Sequence, residues 1–468
     1  MRAVAAAIFA VALLVAGAGA ASADPSWGPL APPNPFLANG TATMHGDAGS
    51  SDATPFAGPG TGRVTATPVF LGAACPTLLQ GGDGMIVALC TSIAGQVPTV
   101  HLLDPHTADS LAQLPLAKGS LLGGVYAFLD NADRLLAVDG NRNLVRVGHS
   151  RGADGRWRLG IDSSTDLTGA IPAGDAVTGL APDWNGTVWF ATGAGVVGAV
   201  DKSGTARTVA LPAGEQVQNS ISTSPTGTAV ATTHALYELR IDSTGTPEIA
   251  WRAPYDRGSA RKPGSLSWGT GSTPTYFGPS TGSDYLTIVD NADDRVNVLV
   301  YRASSGELLC RRPVLTSGGP GSENSPIGVG SSVFVASTYG YPYPTVPSSA
   351  GPAVPPTAPF TGGLTRVDVD ASGCHTVWDV PIRSAAVPHL SIADGNLYTV
   401  QRHGLPNTTP LDGYSYTVVD PNTGAVRAST GMPGTIVEDP LQTSALITVD
   451  GAYFQGTLTG VVRVNDSV

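Results

Sequence analysis

The sequence predicts an all-β protein: a β-propeller of eight four-stranded blades, with seven as the alternative count, its ring closed by a strand near the N-terminus. Three observations carry that expectation. A hairpin motif recurs along nearly the whole chain, short alternating strands are evenly spaced with no helical period between them, and the composition is rich in turn formers.

The hairpin motif is an alternating strand, a polar residue, a small-residue turn, usually closed by Gly, and a second strand. It reads Asp201-Lys202-Ser203-Gly204, Asp242-Ser243-Thr244-Gly245, Ala303-Ser304-Ser305-Gly306, Asp370-Ala371-Ser372-Gly373 and Asp420-Pro421-Asn422-Thr423-Gly424, with a looser copy at Asp104-Pro105-His106-Thr107. The polar-turn-Gly segment reads as a tight hairpin in which Gly supplies the left-handed φ that reverses the chain. The spacing places blades near 73–116, 120–161, 176–211, 217–253, 272–314, 325–381 and 389–430, followed by three strands in 436–465. The last set lacks an outer strand, and Arg63–Leu71 is positioned to supply it.

Charged residues are only 13% of the chain while Gly (59) and Pro (38) are abundant, which favours strands and turns over helices. The net charge of −11 comes without a basic stripe, which excludes nucleic acid as a partner. Residues 1–23 read as a signal peptide: Arg2, an apolar run of about 16 residues, too short to span a bilayer, then Ala21-Ser22-Ala23 as the cleavage site. The expected product is secreted, without a membrane span, and monomeric. Residues 24–62 form a Pro/Gly-rich arm or linker, and residues 63–468 are one propeller domain. The segment 341–362 holds seven prolines, interrupts the sixth blade, and is expected as a lid or a mobile loop.

Four cysteines in an exported chain predict two disulfides. A two-residue type II′ turn at Gly82-Asp83 would place Cys75 opposite Cys90. Cys310 and Cys374 would then join the outer strands of two consecutive blades. No C-x-x-C-H occurs, so covalently attached haem is excluded.

The repeats resemble those of quinoprotein-type (PQQ-like) propellers, in which a strand, Asp-x-x-Thr-Gly and a second strand recur; Asp420–Ala425 is the closest copy. Trp251 and Trp378 are the remnants of the tryptophan that such blades repeat. That resemblance implies a quinone cofactor stacked on channel tryptophans beside Ca²⁺, hence an oxidoreductase.

In a propeller, the starts of the inner strands and the loops between second and third strands share one face. On that face the sequence places Asp175, Asn219-Ser220, Thr273, Glu323-Asn324-Ser325, His389 and Glu438-Asp439, joined by Asp290-Asn291-Ala292-Asp293-Asp294. Oxygen-rich side chains converging from several blades suit Ca²⁺, and Glu323, Asn324 and Asn219 are the candidate ligands. This arrangement looks like that of secreted lactonases of the gluconolactonase and paraoxonase type, which implies a channel cation polarising a lactone or ester. The candidate catalytic residues are Glu323, His389 and Asp439; the candidate ligand-binding residues are Asn219, Asp290, Asn291, Asp293, Asp294, Asn324 and Glu438. Gly278–Gly282 matches G-x-S-x-G, but no helix follows it, and Asp368–Asp379 mimics an EF-hand loop without flanking helices.

The first functional expectation is a secreted propeller binding a small molecule, glycan or protein on its loop-rich face. A cation-dependent hydrolase or lyase is the alternative, and a quinone-dependent oxidoreductase the third.

Overall fold

A computed structural model describes residues 27–119, 126–219 and 221–467. The signal peptide expected at 1–23 and Ser220 lie outside the described residues. Eight antiparallel sheets follow one another along the chain, the last closed by Val64–Phe70 against Gly460–Asp466, from Val64 opposite Asp466 to Phe70 opposite Gly460. This is the eight-bladed propeller with the ring closure that the repeats predict.

Blade 1 (Ala73–Gln80, Ile86–Ser92, Pro98–Leu103, Ser110–Pro115) shows the burial logic of the rest. Its inner three strands are mostly buried, while the outer strand alternates between exposed and half-buried. A blade covered on both faces needs apolar side chains on both sides of each middle strand, and Ile86-Val87-Ala88-Leu89-Cys90 supplies them. The apolar core is accordingly divided. One cluster joins blades 1 and 2 through Leu79, Val100, Leu129 and Val145; another joins blades 5 and 6 through Val298, Val300, Val333 and Val367. A third joins blades 8 and 1 through Phe454, Val461, Leu78 and Ile86 and so seals the ring.

The repeated turns are held by their aspartates. Asp242 Oδ1 accepts the N–H groups of Thr244 (2.7 Å) and Thr246 (2.9 Å), and Asp201 Oδ1 those of Ser203 and Thr205. Gly306 (φ 71°) and Gly424 (φ 74°) have a second constraint. A Cβ on either would lie within 3 Å of the indole of Trp251 or Trp378 from the preceding blade. Each indole N–H donates to a carbonyl of the next blade's turn, Trp251 to Ala303 (2.8 Å) and Trp378 to Pro421 (2.9 Å). The two tryptophans therefore dock blade 4 on blade 5 and blade 6 on blade 7.

The cysteines pair as Cys75–Cys90 and Cys310–Cys374, the second joining the outer strands of blades 5 and 6. The first forms by a route different from the one expected. The loop has three residues, with Gly84 and not Gly82 in the left-handed region (φ 85°), because Asp83 Oδ1 accepts the Met85 N–H (3.0 Å). Leu79 then faces Val87, one residue out of the expected register. A bulge between Ala74 and Thr77 restores it, so that Ala74 faces Thr91 and the two cysteine Cα atoms lie 4.1 Å apart.

The Pro/Gly-rich arm runs inside the ring. Residues 37–43 bridge to blades 1 and 2, where Gln80 N–H donates to Thr41 and Leu129 N–H to Ala42. The chain then passes through left-handed φ at Ser50 (55°) and Asp52 (49°). Those twists aim successive carbonyls at different inner strands: Ala48 accepts from Thr223, Gly49 from Tyr276, Ser51 from Gly328 and Asp52 from Leu390. Inner strands leave unpaired N–H groups facing the axis, and the arm satisfies one from each of blades 4 to 6 and two from blade 7, those of Leu390 and Ile392. Ala53–Thr54 finally adds as a parallel strand to His389–Ser391.

Candidate functional site

The arm gives the channel a floor. Above it, on the face where the inner strands start, opens a cavity of about 400 Å³. Met44 and His45 of the arm, Ala74 and Ile93 of blade 1, and Leu266, Thr273, Glu323, Asn324, Ser325, Gln442 and Ser444 from the inter-blade connections line it. The Pro-rich segment contributes Tyr343, Pro344, Thr345 and Pro347. Tyr341 and Phe360 anchor that segment in the core between blades 7 and 8, and the Tyr341 hydroxyl donates to Asp439. It is thus a packed wall of the cavity.

Glu323 is the charged group of this lining. It is 7% exposed, its Oε1 accepts from the Asn219 amide (3.3 Å) and its Oε2 from the Leu266 N–H (3.0 Å). Burial pushes its carboxyl up to about 7, more than those two donors offset. Tyr126 O–H donates in turn to Asn219 Oδ1 (3.3 Å), and the Asn324 amide donates to Gln442 Oε1 (3.0 Å). Asn219, Glu323 and Asn324 thus meet at one site, as the order of the strand starts predicts.

The other candidates lie elsewhere. His389 is 1% exposed beneath the arm, its Nδ1 3.7 Å from Asp52 Oδ1, with no hydrogen-bond partner for either ring nitrogen. It does not line the cavity, because Ala53–Thr54 pairs over its strand. Asp439 accepts from Tyr341, from Tyr414 O–H (2.6 Å) and from Arg402 (3.3 Å), a buried network that anchors the Pro-rich segment. Glu438 accepts from Thr457 Oγ1 (3.2 Å). Asp290 is held by Asn297 through the backbone N–H (2.7 Å) and the side-chain amide (2.8 Å), Asn291 donates to Arg257 and Ala260, and Asp293 accepts from Ser259. These groups brace the 255–262 connection; neither they nor Asp294 line the cavity.

The donors do not fit the expected Ca²⁺ site. Glu323 is the one carboxylate of the lining, and both its oxygens already accept N–H groups. Among the described residues no three His, Cys, Asp or Glu converge as a metal set.

Sequence reasoning missed His45. Its Nδ1 lies 3.0 and 3.1 Å from the two oxygens of Asp52, and Thr273 Oγ1 is 3.3 Å from its Nε2. Ser325 Oγ is 3.3 Å from Nδ1 and 3.4 Å from Nε2. The available signal was local: in a stretch of Pro, Gly and Ala, one histidine opens the run His45-Gly46-Asp47-Ala48-Gly49-Ser50-Ser51-Asp52, small enough to thread a channel.

No protein-family model matches the sequence, and no curated protein matches it. Among solved structures the chain is similar to a quinohemoprotein alcohol dehydrogenase from Comamonas testosteroni (12% identity, TM-score 0.55, covering 92% of this chain and 81% of that one). It is also similar to a quinohemoprotein alcohol dehydrogenase from Pseudomonas putida HK5 (10%, TM-score 0.56, 92% and 80%) and to a europium-containing methanol dehydrogenase (10%, TM-score 0.53, 92% and 98%). At these identities the likeness is one of fold. The cavity does not fit a quinone cofactor: among the described residues its lining has no tryptophan to stack on and no Arg or Lys to meet the carboxylates of such a cofactor. The neighbours therefore show the fold alone, an eight-bladed propeller.

Proposed function

We propose that this protein works outside the cytoplasm as a small-molecule-binding propeller. The ligand is uncharged and largely apolar, and it sits in the channel-mouth cavity under the wall of 341–362. The observation that carries this reading is the pairing of one desolvated carboxyl, Glu323, with walls built from Ile93, Leu266, Tyr343, Pro344, Val387 and Leu441. A cavity of about 400 Å³ is within the range of pockets that enclose drug-sized molecules, and a few polar groups set in apolar walls are how such pockets orient them. An anion would meet Glu323 with no Arg or Lys in the lining to offset it. Near neutral pH Glu323 can both donate and accept a hydrogen bond, which suits a carbonyl or hydroxyl on the ligand.

The two disulfides are compatible with an oxidising compartment, and no helix among the described residues is long and apolar enough to cross a membrane. Nile red, a neutral apolar dye, tests the reading. Saturable uptake of one dye per chain with blue-shifted emission is expected, at least tenfold weaker in Leu266→Trp, where the indole fills the cavity. Uptake that never saturates, or is indifferent to Leu266→Trp, would overturn it.

A further inference from the structure

We infer that the cavity is a proton-transfer site, with Glu323 as the base and Tyr343 as the hydrogen-bond donor to the developing oxyanion; its substrate is a neutral β,γ-unsaturated ketone, isomerised to the conjugated form. The inference rests on the cavity being a small-molecule site and adds chemistry to it.

The Glu323 carboxyl has one oxygen tied firmly to the protein and one held only loosely. Oε2 accepts the Leu266 N–H at 3.0 Å and lies against Gly271, where a Cβ would come within 2.4 Å of it. A side chain at 271 would push the carboxyl aside, so this glycine makes the room in which it sits. Oε1 accepts the Asn219 amide at 3.3 Å, long for such a bond. Tyr126 O–H steadies that amide by donating to Asn219 Oδ1 (3.3 Å). Tyr126, Asn219, Leu266 and Gly271 all belong to the cavity lining, and Oε1 is the atom assigned to take the proton. Burial raises the carboxyl to about 7, so near neutral pH it can both take a proton from carbon and give it back. Arg261 is the cation acting on Glu323, and its guanidinium is engaged by the carbonyls of Gly351 (2.9 Å) and Ser265 (2.7 Å).

Tyr343 enters the same lining from the Pro-rich wall. Its ring packs edge-on against Tyr341, with centroids 4.8 Å apart, and among the described residues its hydroxyl has no hydrogen-bond partner. Burial raises that phenol well above its usual range, and Glu323 is the largest of the charges acting on it. The hydroxyl therefore stays protonated and free to donate to a ligand oxygen. The remaining titratable groups of the lining are Tyr126 and His45, the latter with its Nδ1 against Asp52. In the reaction, Glu323 Oε1 takes a proton from the carbon between the carbonyl and the double bond. The electron pair of that C–H bond moves into the carbonyl, and the oxygen gains negative charge that the Tyr343 O–H stabilises. The pair then returns, the far carbon of the old double bond takes the proton from Glu323, and the new double bond is conjugated with the carbonyl. The carboxylate is restored, and no atom, electron or co-reactant is exchanged with the surroundings.

The test uses the full chain with the β,γ-unsaturated isomer of androstenedione, a neutral ketone whose conjugated product absorbs strongly in the ultraviolet. Isomerisation that saturates with substrate and is competed by Nile red is expected. Glu323→Gln should lower kcat about a thousandfold while dye uptake persists. Tyr343→Phe should lower kcat about a hundredfold with little change in KM, because its hydroxyl is needed most when the oxyanion forms. Wild-type kcat/KM should rise with pH and level off above about 7, a profile that a merely structural carboxyl would not produce. Each variant is first checked for the wild-type thermal transition and dye uptake, and Tyr343→Phe carries the decision if Glu323→Gln misfolds. Wild-type protein that takes up Nile red but leaves the ketone unchanged overturns this inference and leaves the binding reading standing. Turnover undiminished in Glu323→Gln overturns the assignment of the base. Loss of saturable dye uptake in the wild type overturns both readings.

Discussion

Glu238 lies in the third strand of blade 4, Ala235–Ile241, fully buried against blade 5. One carboxyl oxygen accepts the Tyr276 hydroxyl at 2.5 Å, and the other has no hydrogen-bond partner. Burial therefore dominates and raises the carboxyl from 4.5 to about 7. The native state holds a proton that the unfolded chain has released between these two values, so stability falls as pH rises from about 4.5 to about 7. A shift of that size corresponds to about 3 kcal/mol, by roughly 1.4 kcal/mol per pH unit. Glu323 and Asp47, raised to about 7 and about 6 by burial, act in the same direction.

Glu238→Gln keeps the acceptor for Tyr276 and removes the titration. With an unfolding entropy of about 2.1 cal/mol/K per residue, a chain of this length loses roughly 3 °C in Tm for about 3 kcal/mol. Thermal unfolding at pH 5 and pH 8 is the assay. Wild type should melt at a lower temperature at pH 8, and the variant should recover about 3 °C of the difference. An unchanged pH dependence in Glu238→Gln, or a wild type more stable at pH 8 than at pH 5, would refute the reasoning.

Three further outcomes are expected. Replacing Cys310 and Cys374 by Ser opens a loop of 64 residues and should cost about 4 kcal/mol by chain entropy, seen as a drop of about 4 °C in Tm under non-reducing conditions. Trp378→Ala should cost about 3–5 kcal/mol, since it removes a buried indole and its bond to Pro421; Gly424→Ala should also destabilise, because its Cβ would meet that indole at 2.9 Å and its φ is positive. Limited proteolysis should leave residues 41–54 uncut in the native protein, because their backbone is paired with inner strands, whereas Asp52→Pro, which cannot adopt a left-handed φ, should make this stretch cleavable.

Much of the site face was legible because of the propeller's own regularity. Once blades are counted, the residues before each inner strand must fall on one face, and Asn219, Glu323 and Asn324 fall together there. His389 and Asp439 have the same address yet serve other purposes. Whether a polar residue at a strand start meets solvent, a neighbouring loop or the arm depends on what covers it, and Ala53–Thr54 covers His389 while Tyr341 covers Asp439. The aspartates of Asp290–Asp294 illustrate the same point: loop carboxylates satisfy nearby backbone donors before they are free for a ligand.

What the sequence by itself determined is the repeating part of the molecule: four-stranded blades, expected as eight with seven as the alternative, the strand that closes the ring, and the two cysteine pairs. These follow from local signals, strand alternation and a turn chemistry that each blade repeats, and each copy confirms the others. Tertiary structure alone decided the channel. The arm has no alternation and no turn motif, so its course is set by unpaired N–H groups on the inner strands of blades 1, 2 and 4 to 7, which exist only once the ring has formed. Its entry brings the paired His45 and Asp52 beside Ser325, some 280 residues away.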